Sequence, residues 1–253
     1  MSIDPAETSS MRDAIRGRFA NRFFADKEVP EAVLHDILEL AATAPSGANI
    51  QPWRVYVVTG GAKNALSGAI HAALREEPHR HVSEYSYYTD PLPEPYLQRR
   101  REFGAVFYGG LGIAQADLAA RQRQTAKNYD FFGAPVGMIF TIDRRLEKGS
   151  WLDLGMFIQT VMLAARVHAL ETCPQETFSR FHRVIRQHLP LDDVETVVCG
   201  MSLGYADEAA NAGRGVQGRR GPADFAVFAD AADTLHDPDP GQSPAGQNNS
   251  NEE

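Results

Sequence analysis

From Trp151 to Leu170 the chain reads as one helix that is apolar nearly all round: Leu154, Met156, Phe157, Ile158, Val161, Met162, Leu163, Ala164 and Ala165 leave no broad polar face. Such a helix must be covered on several sides. In a chain of 253 residues that makes it the central helix of one core, or a helix shared with a second subunit. Ser150 and Asp153 ahead of the apolar run have capping-box spacing.

The neighbouring segments supply the rest of a core. Pro30 opens a helix where its missing N–H matters little, and Val33, Leu34, Ile37, Leu38 and Ala41 mark its apolar face. A β-branched strand over 54–59 ends at Gly60-Gly61, and a weaker helix of small residues follows. Further strands are read at Pro135–Ile142 and Glu195–Cys199, with a short last one at Asp224–Phe228. Phe178, Phe181, Ile185 and Leu189 line a helix ended by Pro190. Residues 1–10 read as a loose, flexible N-terminus, 11–235 as one domain, and 236–253 as a disordered tail of Asp, Pro, Gly, Ser, Asn and Glu.

Residues 75–100 break the pattern with Pro78, Pro91, Pro93 and Pro95 among Tyr85, Tyr87, Tyr88 and Tyr96. The stretch is too rich in proline for a long helix and too aromatic for a solvated linker. It is either a lid-like excursion on the substrate side or a surface loop packing its own tyrosines.

A net charge of −8 argues against nucleic acid or an anionic membrane as a partner. Two cysteines, Cys173 and Cys199, form no framework and favour a reducing compartment. No apolar leader and no run of membrane-spanning length is present, so a soluble, cytoplasmic protein is expected. Against the acidic background, Arg12, Arg16, Arg18 and Arg22 fall within eleven residues, at spacings that bring several to one helix face. That is either a solvated basic face or a phosphate site.

The loop Ala44-Pro45-Ser46-Gly47-Ala48-Asn49-Ile50-Gln51-Pro52-Trp53 packs a hydroxyl, two side-chain amides and a Trp between two prolines. It is either a plain turn or a stiff frame of neutral donors and acceptors, suited to a polar planar heterocycle. It resembles the flavin-binding loop of the nitroreductase family of FMN-dependent oxidoreductases. Three further stretches resemble that family in the right order: Ala14 to Phe24 its N-terminal arginine-rich stretch, Thr172-Cys173-Pro174-Gln175-Glu176 the loop beside the flavin ring, and Gly200 to Tyr205 the Gly-rich end of a late strand. Asn128 to Pro135 and Trp151 to Gln159 look closest to the branch that reduces nitrobenzoates and dinitroanilines.

The resemblance implies an α+β fold: a three-layer α/β/α sandwich with a mostly antiparallel central sheet, in an intertwined homodimer. It implies electron transfer from NADPH or NADH through FMN to nitroaromatic or quinone acceptors by a ping-pong mechanism, the nitro group ending as a hydroxylamine. No side chain need act as a nucleophile. Arg18 and Arg22 would bind the FMN phosphate, with Phe19 and Ala20 contributing backbone or packing. Pro45, Ser46, Gly47 and Asn49 would come from the partner subunit, with Gln51 supporting the loop. Pro174, Gln175 and Glu176 would pass beside the ring, the Glu176 backbone N–H near N5. Asn128 would reach the polar edge of the ring, and Arg219 or Arg220 would close on the phosphate. Where the family has a second arginine and a serine this chain has Phe19 and Ala20, which removes one cation and one hydroxyl. Arg16 and the late arginines are the candidates to compensate.

Other readings compete. A flavin storage or sensing protein would share the motifs, as would relatives with other flavin chemistry. Gly200-Met201-Ser202-Leu203-Gly204 has the form of a hydrolase nucleophile elbow, with Asp207, Asp224 or Asp230 and His236 as its only possible partners downstream. Gly213 to Gly218 has the form of a dinucleotide fingerprint but lacks the helix that must follow it. His79 with His81, and His182 with His188, have poor spacing for a metal.

Overall fold

Four strands form the sheet in this computed structural model, which describes residues 5–212 and 215–229, with side chains from residue 11. They are β1 (Trp53–Thr59), β2 (Val136–Asp143), β3 (Glu171–Gln175) and β4 (Glu195–Gly204), in the order β1-β2-β4-β3, every neighbouring pair antiparallel. The inner strands β2 and β4 are buried along almost their whole length. That is why both read as apolar runs. β4 joins the strand read at Glu195–Cys199 to Gly200–Gly204, the Gly-rich strand end that the resemblance implies, which continues the ladder against β2 and β3.

Helices cover both faces. In chain order the helices longer than one turn are α1 (Pro5–Gly17), α2 (Glu31–Ala41), α3 (Gly60–Glu76), α4 (Tyr96–Gly110), α5 (Leu118–Ala126), α6 (Lys148–Val167) and α7 (His182–His188), of which α2, α3, α6 and α7 supply the buried residues against the sheet. On one face Leu34, Ile37 and Ala41 of α2 join Leu154, Phe157 and Val161 of α6 against Met138, Phe140 and Met201. On the other, Leu66 and Ile70 of α3 join Ile185 of α7, Phe131, Phe178 and Phe181 against Val58, Ile139 and Val197. This is the three-layer α/β/α sandwich with an antiparallel sheet.

Several local expectations are corrected. Pro30 is the N-cap of α2 rather than its first helical residue. Residues 5–10, expected to be loose, belong to α1. That helix stops at Gly17, so Arg12 and Arg16 are helical while Arg18 and Arg22 lie beyond its end, the Arg18 N–H still donating to the Ala14 carbonyl at 3.1 Å. Thr172–Gln175 is not a loop but most of edge strand β3, where Pro174 is tolerated because an edge need not donate on both sides. In the short C-terminal unit from Val216, described by itself, Pro222–Asp224 forms a 3-10 turn and no strand follows over 225–228. The expected tail over 236–253 lies outside the described residues.

α6 is central, as its composition demands, but one chain does not cover it. Leu154, Phe157, Val161 and Ala165 are buried, whereas Leu152 is 71% and Met156 40% exposed. One turn apart, the two present an uncovered apolar stripe.

Candidate functional site

The 44–53 loop is anchored on α6. Ala44 belongs to the core beneath α2 and α6, and Trp53 stacks on Phe157 with ring centroids 4.6 Å apart. Between these anchors Gly47–Asn49 makes a single 3-10 turn. Ala48, Asn49 and Gln51 all sit at positive φ, near +49°, +58° and +48°. Such left-handed backbone is unfavourable for residues with a side chain and persists only where surroundings impose it. Here the Ser46 hydroxyl accepts from the Gln51 N–H at 3.0 Å, the Gln51 amide donates to the Asn49 carbonyl at 3.2 Å, and Asp153 Oδ2 accepts from the Gly47 N–H at 3.2 Å. Pro45 and Gly47 to Gln51 remain exposed.

Asp153 is thus a site residue whose spacing suggested something else. α6 begins at Lys148 with Glu147 as its N-cap and no side-chain cap bond, so Ser150 and Asp153 form no capping box. Asp153 lies in the second turn, buried, one turn before Phe157, and the two side chains hold the loop together.

A second group gathers on the opposite layer, centred on Gln175. Its side chain is buried; Nε2 donates to the Asn128 carbonyl at 2.7 Å and to Asn128 Oδ1 at 3.3 Å, while Oε1 accepts from the Ser202 hydroxyl at 2.6 Å. Gln175 therefore ties Asn128 to β3 and β4 and exposes little of itself. Asn128 is further held by donation from Nδ2 to the Thr125 carbonyl at 2.7 Å, and the Glu176 carboxylate accepts from the Ser179 hydroxyl at 2.9 Å. Just beyond Asn128, Phe131, Phe132 and Gly133 form a second run of positive φ. Phe131 is buried and stacks on Phe178 at 4.6 Å. Both rings press against glycines: a Cβ at Gly137 would stand 2.5 Å from Phe131, and one at Gly200 2.5 Å from Phe178.

The segment carrying Arg18 to Arg22 runs beside β3. Ala20 makes a parallel bridge with Thr172, and the Asn21 N–H donates to the Thr172 carbonyl at 2.9 Å. Arg18, Phe19, Ala20 and Arg22 are all half-buried. The Arg22 guanidinium lies 4.6 Å from the ring of Phe107, 5.8 Å from Phe132 and 5.9 Å from Phe103, and it donates to the Ala20 carbonyl at 3.3 Å. Nothing in the local pattern marked these rings as partners of Arg22. In the C-terminal unit Arg219 donates to the Gly218 carbonyl at 3.1 Å and Arg220 to the Asp224 carbonyl at 2.8 Å.

Ser202 is fully buried in β4 and its hydroxyl is engaged by Gln175, which removes it as an exposed nucleophile. Asp207 caps a short helix by accepting from the Ala210 N–H, while Asp230 and His236 lie outside the described residues, as do Gly213 and Arg214 of the glycine-rich fingerprint. Cys173 and Cys199 are free, and burial pushes their thiols up to about 11 and about 12. They are poor nucleophiles at neutral pH. Among the described residues no three His, Cys, Asp or Glu side chains are grouped to hold a metal, and no helix is long and apolar enough to cross a membrane.

An antiparallel sheet between two helical layers defines the class, an α/β/α sandwich, and the chain belongs to the nitroreductase family: residues 15–205 match that family. It is 44% identical over 206 residues to a 4-nitrobenzoate reductase of Pseudomonas putida, covering 80% of this chain and 88% of the relative. The structure of the FMN and NADPH-dependent nitroreductase NfnB from Sphigopyxis sp. strain HMH superposes with a TM-score of 0.84 at 35% identity, over 87% of this chain and 99% of that one. NfnB from Mycobacterium smegmatis, solved in complex with NADPH, gives a TM-score of 0.84 at 32% identity, over 88% and 100% of the two chains.

Proposed function

We propose that this chain is an FMN-dependent oxidoreductase that moves electrons from NADPH or NADH to nitroaromatic or quinone-like acceptors, working as an intertwined homodimer in the cytoplasm. One observation carries the reading. The exposed polar loop 45–51 is pinned to the α2/α6 layer, whereas Asn128, Gln175 and Glu176 stand on the opposite layer. One small heterocycle would meet both groups where two chains pack with the uncovered stripe of Leu152 and Met156 between them. An interface of this obligate kind buries roughly 2,000 Å² or more. The free, buried cysteines fit a reducing compartment.

The residues present fit FMN. The loop offers backbone and side-chain donors of neutral charge, and its left-handed turn holds them outward without rearrangement on binding. Arg22 supplies a cation for the phosphate, with Arg18 four residues before it and the backbone of Phe19 and Ala20 between them in the chain. FMN, when bound, accepts two electrons from a nicotinamide and passes them on, the chemistry that the protein itself lacks. Pro174, Gln175 and Glu176 would border the ring, with the Glu176 N–H directed at N5; Asn128, locked by Gln175, would meet its polar edge. Pro45, Ser46, Gly47 and Asn49 would reach it from the partner, on the frame that Gln51 and Asp153 hold. One open site serving donor and acceptor in turn gives ping-pong kinetics. Reduction of a nitro group by two successive two-electron, two-proton steps releases water and ends at the hydroxylamine.

The test is the anaerobic visible spectrum of FMN-supplemented, desalted protein before and after NADPH. A retained yellow band that bleaches, then returns with a nitroarene, is the expected result, and Arg22→Ala should weaken FMN binding several-fold or more. A band that stays yellow with either nicotinamide would overturn turnover in favour of storage or sensing. No retained band would overturn the cofactor assignment.

A further inference from the structure

Between α4 and the start of α5 lies a cavity of about 810 Å³ whose lining includes Arg100, Arg101, Arg121, Phe103, Tyr108 and Ile113. Residues 98–121, which span its lining, carry four basic and two acidic side chains in a chain whose net charge is −8. The Arg121 guanidinium stacks 4.3 Å from the ring of Tyr108 and is steadied by donation to the Gln115 carbonyl at 3.3 Å. Arg100 lies 5.9 Å from Tyr88, and Arg101 reaches Glu94 only at 3.9 Å. The one acid of the lining, Glu102, accepts from the Gln98 amide at 3.0 Å. Phe103 faces two ways, lining the cavity and lying under the Arg22 guanidinium.

We propose that this cavity binds a planar aromatic ring carrying an anionic group. The rings of Phe103 and Tyr108 with Ile113 supply apolar walls of the size an arene fills. Guanidinium groups stacked on aromatic rings keep their edges for planar, two-pronged contact with a carboxylate or phosphate. A neutral arene would use the walls alone, and a metal cation would meet three positive charges. The ligand chemistry has two sources in the proposed reaction, a benzoate-type acceptor or the adenosine phosphate of NADPH. The consequence for substrate choice rests on the oxidoreductase reading; the binding does not.

The experiment is a 19F NMR titration of the FMN-supplemented full chain with 4-fluorobenzoate and with fluorobenzene, run on wild type, Arg101→Gln and Arg121→Gln. It is paired with steady-state reduction of 4-nitrobenzoate and nitrobenzene. We expect 4-fluorobenzoate to bind, and each substitution to weaken it by about tenfold, the equivalent of one charged hydrogen bond partly exposed to water, without changing fluorobenzene. The KM for 4-nitrobenzoate rises in step while that for nitrobenzene does not. Displacement of 4-fluorobenzoate by adenosine 2′,5′-bisphosphate, with a raised KM for NADPH but not NADH, assigns the site to the nucleotide; no displacement assigns it to the acceptor. Absence of 4-fluorobenzoate binding, or binding indifferent to both arginines, overturns the proposal even if both nitro compounds are reduced. Arginine-dependent binding with no reduction of either compound leaves the site standing and defeats the nitroarene-reductase reading.

Discussion

Gly47 and Asp153 stand 106 residues apart, and the N–H of the first donates to the carboxylate of the second at 3.2 Å. Through that bond the helix at the heart of the core dictates the geometry of the loop most charged with recognition chemistry. Replacing Asp153 by Leu removes the acceptor and frees a turn held at positive φ, so FMN affinity should fall by about tenfold, near 1.4 kcal/mol. Asp153→Asn keeps an acceptor oxygen and should restore most of it. Fluorescence titration of FMN into the two apoproteins checks the order; equal affinities would show that the bond does not shape the loop.

Gln175 and Ser202 form the second hinge of the site. Gln175→Leu strips partners from the Ser202 hydroxyl and the Asn128 carbonyl, and should lower stability by about 2 kcal/mol or more in urea unfolding. Ser202→Ala should retain turnover at modestly reduced stability. Loss of all activity in that variant would restore Ser202 as a catalytic group.

Gly200 has no room for a methyl group. Gly200→Ala drives a Cβ to within 2.5 Å of the Phe178 ring, and overpacking of this kind costs about 1–3 kcal/mol. The second change Phe178→Leu should recover part of the loss in thermal unfolding, because the two sites touch. Additive effects would show that the clash relaxes elsewhere.

The apolar stripe of α6 predicts the assembly. Burying Leu152 and Met156 on a partner contributes about 1.5–3 kcal/mol each, and a carboxylate in their place opposes it. Leu152→Glu with Met156→Glu should therefore give a folded monomer by light scattering, with FMN no longer retained. A wild-type chain that is already monomeric would count against the two-subunit site.

Glu195 predicts a pH dependence at the far end of β1, β2 and β4. Burial alone would push its carboxyl up, but donation from the Thr141 hydroxyl, the Asp192 N–H, the Tyr56 hydroxyl and the Arg54 guanidinium brings it below the ordinary carboxylate value. A depressed folded value means that the stabilisation is present at neutral pH and is lost as the pH falls through it. Glu195→Gln should flatten the acid limb of stability against pH. At the alkaline end, burial and then the bond to Glu195 push the Tyr56 hydroxyl up to about 12. That contribution is complete below the ordinary tyrosine range and fades as the pH climbs towards 12. Tyr56→Phe should remove the alkaline limb and, by withdrawing one donor from the Glu195 carboxylate, soften the acid limb as well.

Much of this molecule is legible in its sequence. The apolar face of α2, the strands β1, β2 and β4 and the buried character of α6 follow from periodicity and β-branching, which act over a few residues. The chemistry of the 44–53 loop was equally plain, since its hydroxyl and amides are written in order. Tertiary structure decided what those groups do. Ser150 and Asp153 have the spacing of a cap, yet Asp153 serves a loop from another part of the chain, because a buried carboxylate takes the donor that packing brings to it. Thr172 to Gln175 became a strand, despite Pro174, because β4 offered a free edge. The arginine cluster divided at Gly17, and Arg22 acquired its aromatic neighbours from α4 and the 131–133 turn. Local sequence sets which conformations and donors are available. Which of them meet is set by closing long loops over a shared core, and only the folded chain specifies that closure.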